Sequence, residues 1–528
     1  MAASVESHGR PHPPAMNDNQ RSHGFHHPTV WGDFFLGFRP FSPAQCISMK
    51  NKAEVIKEEL RATIVDSGSV DLPQKLELVD TLQRLGLDYH YGTEINDLLC
   101  GIHDAGDEAH DLHTAALRFY LLRKQGLNVS PDVFLKFIDD EGKITCNDTR
   151  SLLGVYNAAH VRTHGEETLS SAMAYAKDHL ERAVEQQTIP PSILLDQVRR
   201  ALETPLFRRP RRVEARHFIS VYERMSTRNE AILELAKLDF SILQALYCEE
   251  LRALTLYSTL EESRLLTMAM ERWDEQAAEH LPGYTKFFYR KVLATMKLID
   301  ATKCYYNEAK RNYCVDDACP DDSDTMRNPA AHMRWMVSMD GLICDVVHKS
   351  ADSVVCIAAL EAKWCEESDT PVTVEEHLRI SVPSCCCMHV ACLAFSVIGA
   401  GRDAIEWGMT YPKIMRASCT IGRVINDVAS HECSGERSVM STVEACMEEN
   451  NYIAKEDAYK KLRELIEESW MDIIEEVLRP SAVRPAAPLL EAVVNSTRML
   501  DFLYKDQDAY TDPRGLKVVV DSIYVNPI

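Results

Sequence analysis

The segment LPQKLELVDTLQRLGLDYHY, residues 72–91, shows the pattern that decides the fold. Its apolar side chains recur at spacings of three and four residues, at Leu72, Leu76, Val79, Leu82 and Leu85. That spacing places them in one stripe along an α-helix that packs against a core. Gly86 follows the stripe, and glycine is typical just past a helix end because it adopts left-handed backbone angles without strain. The segment therefore predicts one amphipathic helix that stops at a glycine.

The same succession of apolar helices and short polar breaks continues along the chain. HTAALRFYLLRKQGLNVSPDVFLKFID (113–139) predicts a helix that ends at Gly126 and a second helix that Ser130 caps. TRSLLGVYNAAHVRTHGEETLSSAMAYAKDHL (149–180) predicts two more helices, separated at Gly165. The sequence therefore predicts an all-α protein.

Composition agrees with a helical fold and narrows the function. Only 21 of the 528 residues are glycine, which favours helices over tight β-turns. The one strand-like stretch, 516–525, fits a helix equally well. With 58 Lys and Arg against 80 Asp and Glu, the net charge is −22, which argues against a nucleic-acid partner because phosphate binding needs a basic face.

The sequence also predicts the cellular compartment. It holds no apolar run of about eighteen residues, so we expect no membrane-spanning segment. The polar, His-rich N-terminus has the pattern of neither a secretory signal nor an organelle transit peptide. We therefore expect a cytoplasmic protein.

Two breaks in composition interrupt the helical pattern. Residues 204–216, TPLFRRPRRVEAR, hold two prolines and five arginines. We interpret them as a turn between domains whose arginines face solvent, in preference to a basic phosphate or RNA patch. Residues 315–357 lose helical periodicity over their whole length, which is unusual in a compact domain. Residues 1–27 are expected to be a disordered N-terminal tail.

Several segments together resemble plant terpene synthases of class I. HPTVWGDFF (27–35) resembles the family's N-terminal segment around a tryptophan, and LQRLGLDYHYGTEIND (82–97) resembles its N-terminal α-barrel domain. EARHFISVYERMSTRNEAILELAKLDFSILQALYCEEL (214–251) resembles the entry into the catalytic α domain. STLEESRLLTMAMERWDEQAAEHLPGYTKFFY (258–289) resembles the family segment built around Arg-Trp-Asp.

The resemblance implies two domains and two lesions in the second. It implies an N-terminal α-barrel domain at 28–210 and a class I catalytic α-bundle at 211–528. The family's first acidic motif, Asp-Asp-x-x-Asp, is absent, because Leu256 passes directly into Tyr257 where the family has a further turn, a loop and the acidic helix. We therefore expect a deletion at 256/257, which truncates the catalytic bundle. We also expect an irregular insertion at about 315–357.

IGRVINDVASHECSGE (421–436) resembles the family's second metal motif, Asn/Asp-Asp-x-x-Ser/Thr-x-x-x-Glu. The resemblance implies that Asn426 and Ser430 are metal ligands, one helical turn apart on the same face. Ser434 takes the third ligand position, where the family has Glu. Arg423 matches the family's diphosphate-binding arginine, and Asn426 is assigned to that diphosphate site as well. The alternative interpretation is an amphipathic core helix with a polar stripe.

FLYKDQDAYTDP (502–513) resembles the family segment Tyr-x-x-x-Asp-Gly-Tyr, which folds beside the cavity. The resemblance implies catalytic roles for Asp508 and Tyr510, as cavity-lining or proton-handling groups. A different cluster, the cysteines within 385–392, offers ligands for a soft metal. Adjacent residues cannot share one helix face, so we interpret this run as core packing.

The resemblance implies a carbon–oxygen lyase that ionises and cyclises a prenyl diphosphate. Mg²⁺ (or Mn²⁺) is the implied cofactor, with binding weakened because Ser434 has no carboxylate. Farnesyl diphosphate is the implied substrate, since a chain without a transit peptide meets the cytosolic C15 pool; we expect a monomer with no nucleic-acid or membrane partner. The alternative is a catalytically inactive homologue, the product of an allele or an aberrant splice, because the Asp-rich motif is missing.

Overall fold

The computed structural model shows a helical protein. It describes residues 31, 34–65, 70–106, 111–139, 144–270, 373–385, 387–398, 400–431, 440–479, 485–509 and 512–528, with the backbone alone at 253–270. Within these ranges the one β pairing is a single antiparallel bridge between Ile138 and Ile144. The predicted all-α class is confirmed. The expected tail at 1–27 and insertion at 315–357 lie outside the described residues.

The helices of the first half follow one another with short connections. They are α1 (Phe34–Gly37), α2 (Pro43–Val65), α3 (Leu72–Arg84), α4 (Gly92–Asp104), α5 (Leu112–Lys124), α6 (Thr149–Ala159), α7 (Glu167–Glu185), α8 (Ile193–Glu203), α9 (Arg211–Glu223) and α10 (Glu230–Met270). Short 3₁₀ segments connect some of them, at Asp88–His90, Pro131–Phe137 and Leu206–Arg208. The backbone of α10 is continuous across Leu256 and Tyr257, where the sequence predicts a deletion.

The second described half begins at residue 373. Its helices are α11 (Val374–Ser384), α12 (Cys387–Val397), α13 (Arg402–Met409), α14 (Lys413–His431), α15 (Thr442–Glu449), α16 (Lys455–Leu478), α17 (Ala487–Tyr504) and α18 (Lys517–Val520). The 3₁₀ segment Pro513–Leu516 precedes α18, and one π-helical turn, Asp521–Val525, follows it. The strand-like stretch of the sequence is therefore helical. No helix in the described ranges is long and apolar enough to cross a lipid bilayer.

The helix predicted from residues 72–91 forms as α3. Its N-terminus is capped by Asp71, whose side chain accepts a backbone N–H of the first turn. Leu76, Val79 and Leu82 are fully buried, and Gly86, just past the end, has a φ of +74°. The apolar stripe and its glycine stop are both confirmed.

The other predicted breaks are confirmed, with one difference in helix type. Gly126 and Gly165 have φ values of +84° and +78°, just after α5 and between α6 and α7. Ser130 caps the next segment as predicted, because its side chain accepts a backbone N–H. That segment, Pro131–Phe137, is a 3₁₀-helix instead of an α-helix, as is common in short connectors.

The arginines of residues 204–216 are not all turned to solvent, so that interpretation is wrong. Arg208 and Arg209 are only 7% and 6% exposed. Arg209 Nη1 lies 2.9 Å from a carboxylate oxygen of Glu214. Arg208 makes a bidentate pair with Glu467, with N–O distances of 2.6 and 2.7 Å. Arg208 is covered by a carboxylate from a distant segment and Arg209 by one from its own stretch, and the charge count alone reveals neither contact.

In the N-terminal half, the carboxylate of Glu214 forms ion pairs with three arginines. Its carboxylate lies 3.0 Å from Arg84 Nη2, 3.2 Å from Arg200 Nε and 2.9 Å from Arg209 Nη1. Burial acts to raise the pKa of Glu214, but the three positive charges outweigh it and hold that pKa far below its usual range. The basic stretch thus helps to fix α9 against α3 and α8.

The Arg208–Glu467 pair joins the first half of the chain to the second. Arg208 also lies over the ring of Trp470, 5.1 Å from its centroid, and Trp470 packs edge-on against Phe207. Arg498 of α17 donates from Nε to the backbone oxygen of Phe207. We call these five residues the joint. Through it, α16 and α17 are held against the turn that follows α8.

Replacing Glu467 with glutamine should destabilise the protein by about 3 kcal/mol at pH 7, because Arg208 keeps a buried charge without its counter-charge. Burial opposes ionisation of Glu467, but Arg208 outweighs it and lowers the pKa of Glu467 to about 2, against 4.5 for an ordinary glutamate. The stabilisation is therefore present above pH 4.5 and is lost as the pH falls toward 2. Urea unfolding at pH 7 and at pH about 3 measures the difference, which should shrink at the lower pH.

Glu406→Gln is the matched control for this variant. Glu406 pairs with Arg402 one turn away on α13, and the two side chains are 55% and 60% exposed. Its loss should cost less than about 0.5 kcal/mol at either pH. Equal costs for the two variants at pH 7, or a Glu467 cost that does not change with pH, would contradict the assigned role of the joint.

Candidate functional site

The residues of the second metal motif lie on α14, a helix enclosed by its neighbours. It packs against α11, α12, α15, α16 and α17. Its buried residues occupy most of its circumference, namely Ile414, Met415, Ala417, Ser418, Cys419, Ile421, Gly422, Val424, Ile425 and Asp427. A polar side chain on so enclosed a helix must meet a partner or a ligand, because a buried polar group without one is costly.

Arg423, Asn426 and Ser430 share one side of α14 and are half-buried. Asn426 Nδ2 donates to Ser430 Oγ at 3.4 Å, so the two side chains meet one turn apart as the spacing predicts. The structure therefore brings together the predicted diphosphate arginine and the first two predicted ligand positions. Ser434, the third, lies outside the described residues.

Asp427 lies one turn beyond Arg423 on α14, pairs with it and is the more deeply buried of the two. Its Oδ2 accepts from Arg423 Nε at 3.1 Å, from Thr442 N at 2.8 Å and from Thr442 Oγ1 at 2.6 Å. Asp427 is only 4% exposed. Burial acts to raise its pKa, but the Arg423 charge and the two Thr442 hydrogen bonds outweigh burial and lower it. Asp427 is therefore an ionised carboxylate inside the domain.

His377 of α11 extends this network. Its Nε2 lies 3.0 Å from the backbone oxygen of Met440, which can only accept, so Nε2 carries the hydrogen. Nδ1 then accepts from Ser381 Oγ at 3.1 Å, and Thr442 Oγ1 lies 3.5 Å from it. Burial lowers the pKa of His377, and nearby Arg423 lowers it further. The imidazole is therefore neutral and links α11, α14 and the start of α15.

The predicted catalytic pair near the C-terminus is described in part. Asp508 is half-buried and lies four residues past the end of α17. That helix packs closely on α14, since a Cβ at Gly422 would lie 2.8 Å from Leu500 Cδ1. Tyr510 lies outside the described residues. The roles of Asp508 and Tyr510 stay predictions.

Sequence reasoning assigned no role to Asp427, Thr442 or His377. The sequence does contain a signal for Asp427, because Arg423 and Asp427 are four residues apart and such pairs meet on a helix. The other two had none, since Thr442 is 15 residues from Asp427 along the chain and His377 is 65 from Thr442. Their contacts depend on how three helices pack.

Two other groups of side chains have the chemistry to bind a metal ion, but their contacts are structural. The cysteine run falls at the break between α11 and α12, where Cys385 and Cys387 are half-buried and Cys392 is buried in the core. His164 meets Asp472 and Glu475 in an arrangement that could hold a metal ion. Lys413 Nζ already lies 2.8 and 2.6 Å from these two carboxylates, so the group is an ion-pair cluster between the two halves.

The described helices define the class of the fold, which is all-α. The family model for the terpene synthase N-terminal domain matches residues 30–202. The model for the terpene synthase family metal binding domain matches 253–336 and 324–472. The chain belongs to the terpene synthase family.

Similar proteins align with nearly the whole chain. It is 40% identical to "(E)-beta-caryophyllene synthase" of Zea mays over 97% of this chain and 98% of that protein. It is 34% identical to "Zingiberene synthase" of Sorghum bicolor over 95% and 96%. The first alignment spans 574 positions, at least 46 more than the 528 residues present here. That relative therefore has residues without counterparts in this chain, and their location stays a prediction.

Solved structures share the fold. Isoprene synthase from grey poplar, crystallised with three Mg²⁺ ions and dimethylallyl-S-thiolodiphosphate, aligns with a TM-score of 0.70 at 24% identity. The alignment covers 95% of this chain and 99% of that one. Limonene synthase with 2-fluorolinalyl diphosphate aligns at 0.73 and 22% identity, over 96% and 99%. These likenesses confirm the terpene synthase fold.

Thr442→Val should destabilise the protein by about 1.5–3 kcal/mol. The valine keeps the shape of threonine but removes the O–H that donates to the buried, charged Asp427. Thr410→Val is the control, because Thr410 is exposed and its hydroxyl donates only to the backbone oxygen of Trp407. Urea unfolding at pH 7 measures the loss of unfolding free energy in the two variants. Equal losses would show that the hydrogen bond to Asp427 contributes no more stability than an exposed one.

Proposed function

We propose that this chain is a metal-dependent sesquiterpene synthase that ionises farnesyl diphosphate. The observation that carries the proposal is its 40% identity, over 97% of its length, to a protein named for the C15 hydrocarbon caryophyllene. Relatives at 34% identity are named for zingiberene and farnesene, two further C15 hydrocarbons. Hydrocarbons of that size share farnesyl diphosphate as a precursor, so the set of names supports this substrate more strongly than any one name does. The protein acts as a cytoplasmic monomer.

Arg423 is the described residue best suited to the diphosphate. When the carbon–oxygen bond breaks, the leaving diphosphate gains negative charge, and a cation already in place stabilises that charge without reorganisation. A guanidinium suits phosphate oxygens because its planar N–H groups match them in pairs. Arg423 is half-buried on the motif side of α14, where its charge is only partly screened by water.

Asn426 and Ser430 offer donors of the right kind for Mg²⁺ or Mn²⁺. Amide and hydroxyl oxygens are hard ligands, and Mg²⁺ commonly completes its shell with water and substrate phosphate. Once bound, the ion would neutralise diphosphate charge. Both donors are uncharged, and Ser434 replaces the family's Glu, so we expect weaker metal binding than in a site with a carboxylate. Asp508 and Tyr510 remain the candidate catalytic groups for the later cyclisation.

The alternative is a homologue without lyase activity. The sequence feature behind it is the absent Asp-Asp-x-x-Asp motif. Neither the described residues nor the comparisons give it positive support. Because both hypotheses share the family and the fold, only an assay of turnover distinguishes them.

Incubation of the purified chain with farnesyl diphosphate and Mg²⁺ should yield volatile hydrocarbons and free diphosphate. Arg423→Ala should lower the rate by about 100-fold or more, since it removes a fixed cation from the leaving group. Gas chromatography and a diphosphate assay follow the two products. EDTA should abolish both.

Arg416→Ala is the matched control, because Arg416 lies two turns earlier on α14 and is exposed. Its rate should equal that of the wild type. No product from the wild-type chain with either Mg²⁺ or Mn²⁺ would favour the inactive homologue. Equal losses in the two arginine variants would remove Arg423 from the diphosphate site.

Ser434→Glu should lower the Mg²⁺ concentration for half-maximal rate by about 10-fold or more, because it supplies the carboxylate that the family has at this position. Ser438→Glu is the control, since it adds the same charge four residues later, outside the motif. A magnesium titration of the initial rate tests both. Equal responses would mean that added charge alone, and not the motif position, improves metal binding.

A further inference from the structure

Asp427 lies beside the proposed diphosphate site but has no assigned part in it. Its Oδ2 is already occupied, because this oxygen accepts from three donors on Arg423 and Thr442. A cation at that oxygen would have to displace an arginine and a backbone N–H, in a place only 4% exposed. The contacts point to a role through Arg423.

Arg423 needs such a partner if it is to act as a fixed cation. An arginine side chain loses rotamer freedom when it is held in one orientation. Arg423 donates to Asp427 from Nε, at the side of the guanidinium, and this bond restricts the plane in which the terminal nitrogens lie. The Asp427 charge also keeps the half-buried arginine from being an uncompensated cation.

Asp427 is itself held independently of any ligand. Thr442 donates to it from both its backbone N–H and its hydroxyl. The preceding residue, Ser441, forms a capping box with Glu444 that fixes the first turn of α15. His377 bonds the backbone oxygen of Met440, which anchors the same turn to α11. The carboxylate is therefore preorganised by three helices.

We propose that Asp427 is the positioning residue of the diphosphate site: it orients the guanidinium of Arg423, and Thr442 in turn orients Asp427. This inference rests on the proposed function, because it takes diphosphate as the ligand of Arg423. Asp427 touches neither substrate nor metal in this role. Its effect on diphosphate therefore requires Arg423.

A double-mutant cycle tests this dependence directly. Calorimetry with inorganic diphosphate and excess Mg²⁺ gives Kd for the wild type, Asp427→Asn, Arg423→Ala and the double variant. Asp427→Asn keeps the size of the side chain and should weaken binding by about tenfold, since misorientation of a single contact has effects of this order. In the Arg423→Ala background, the same change should alter Kd by less than about twofold.

Glu476→Gln is the matched control. Glu476 is a buried carboxylate on α16 that pairs with Arg479, three residues further along the chain. It should lower stability but leave the Kd for diphosphate unchanged, whereas a general structural effect of losing a buried carboxylate would change both. If Asp427→Asn does not fold, Thr442→Val replaces it, with a smaller loss of affinity that again disappears in the Arg423→Ala background.

The outcomes separate the inference from the function on which it rests. No binding of diphosphate by the wild type overturns the proposed function and this inference with it. Binding that Asp427→Asn weakens equally with and without Arg423 overturns the positioning role alone. Loss of the Asp427 effect in the Arg423→Ala background supports it.

Discussion

The ion pair between Arg208 and Glu467 constrains how the two halves of the chain meet. Neither charge is stable in the interior alone, so the turn after α8 and the middle of α16 must come together. Trp470, one turn further along α16, is fully buried against Phe207. The same α16 packs along α14, so the placement of the motif helix follows in part from an ion pair outside the motif.

The same constraint acts on a smaller scale within the site. Asp427 can be buried because Arg423 and Thr442 satisfy it, and Arg423 can stay charged because Asp427 compensates it. The cation assigned to the proposed ligand is thus paired with a buried carboxylate one turn further along the same helix. His377 and Ser381, both on α11, add a further hydrogen bond to this network.

The sequence predicted the local structure well because local rules govern it. The stripe in α3, the glycine stops and the Ser130 cap each depend on residues within a few positions. The shared face of Arg423, Asn426 and Ser430 followed from helical spacing in the same way. The burial of Arg208 did not, because its partner Glu467 is 259 residues away along the chain and meets it only through packing. A basic stretch looks solvent-exposed until the carboxylates that cover it are known.

Under the proposed function, the charge of the site has one further consequence. Asp427 is the buried carboxylate of α14, and its charge is already committed to Arg423; Asn426 and Ser430 are neutral. Among the described residues of the motif, then, no carboxylate is left for a divalent ion, and bound diphosphate would supply negative charge there. Metal and diphosphate would each bind weakly alone and strongly together, and this coupling is equal in both directions by linkage.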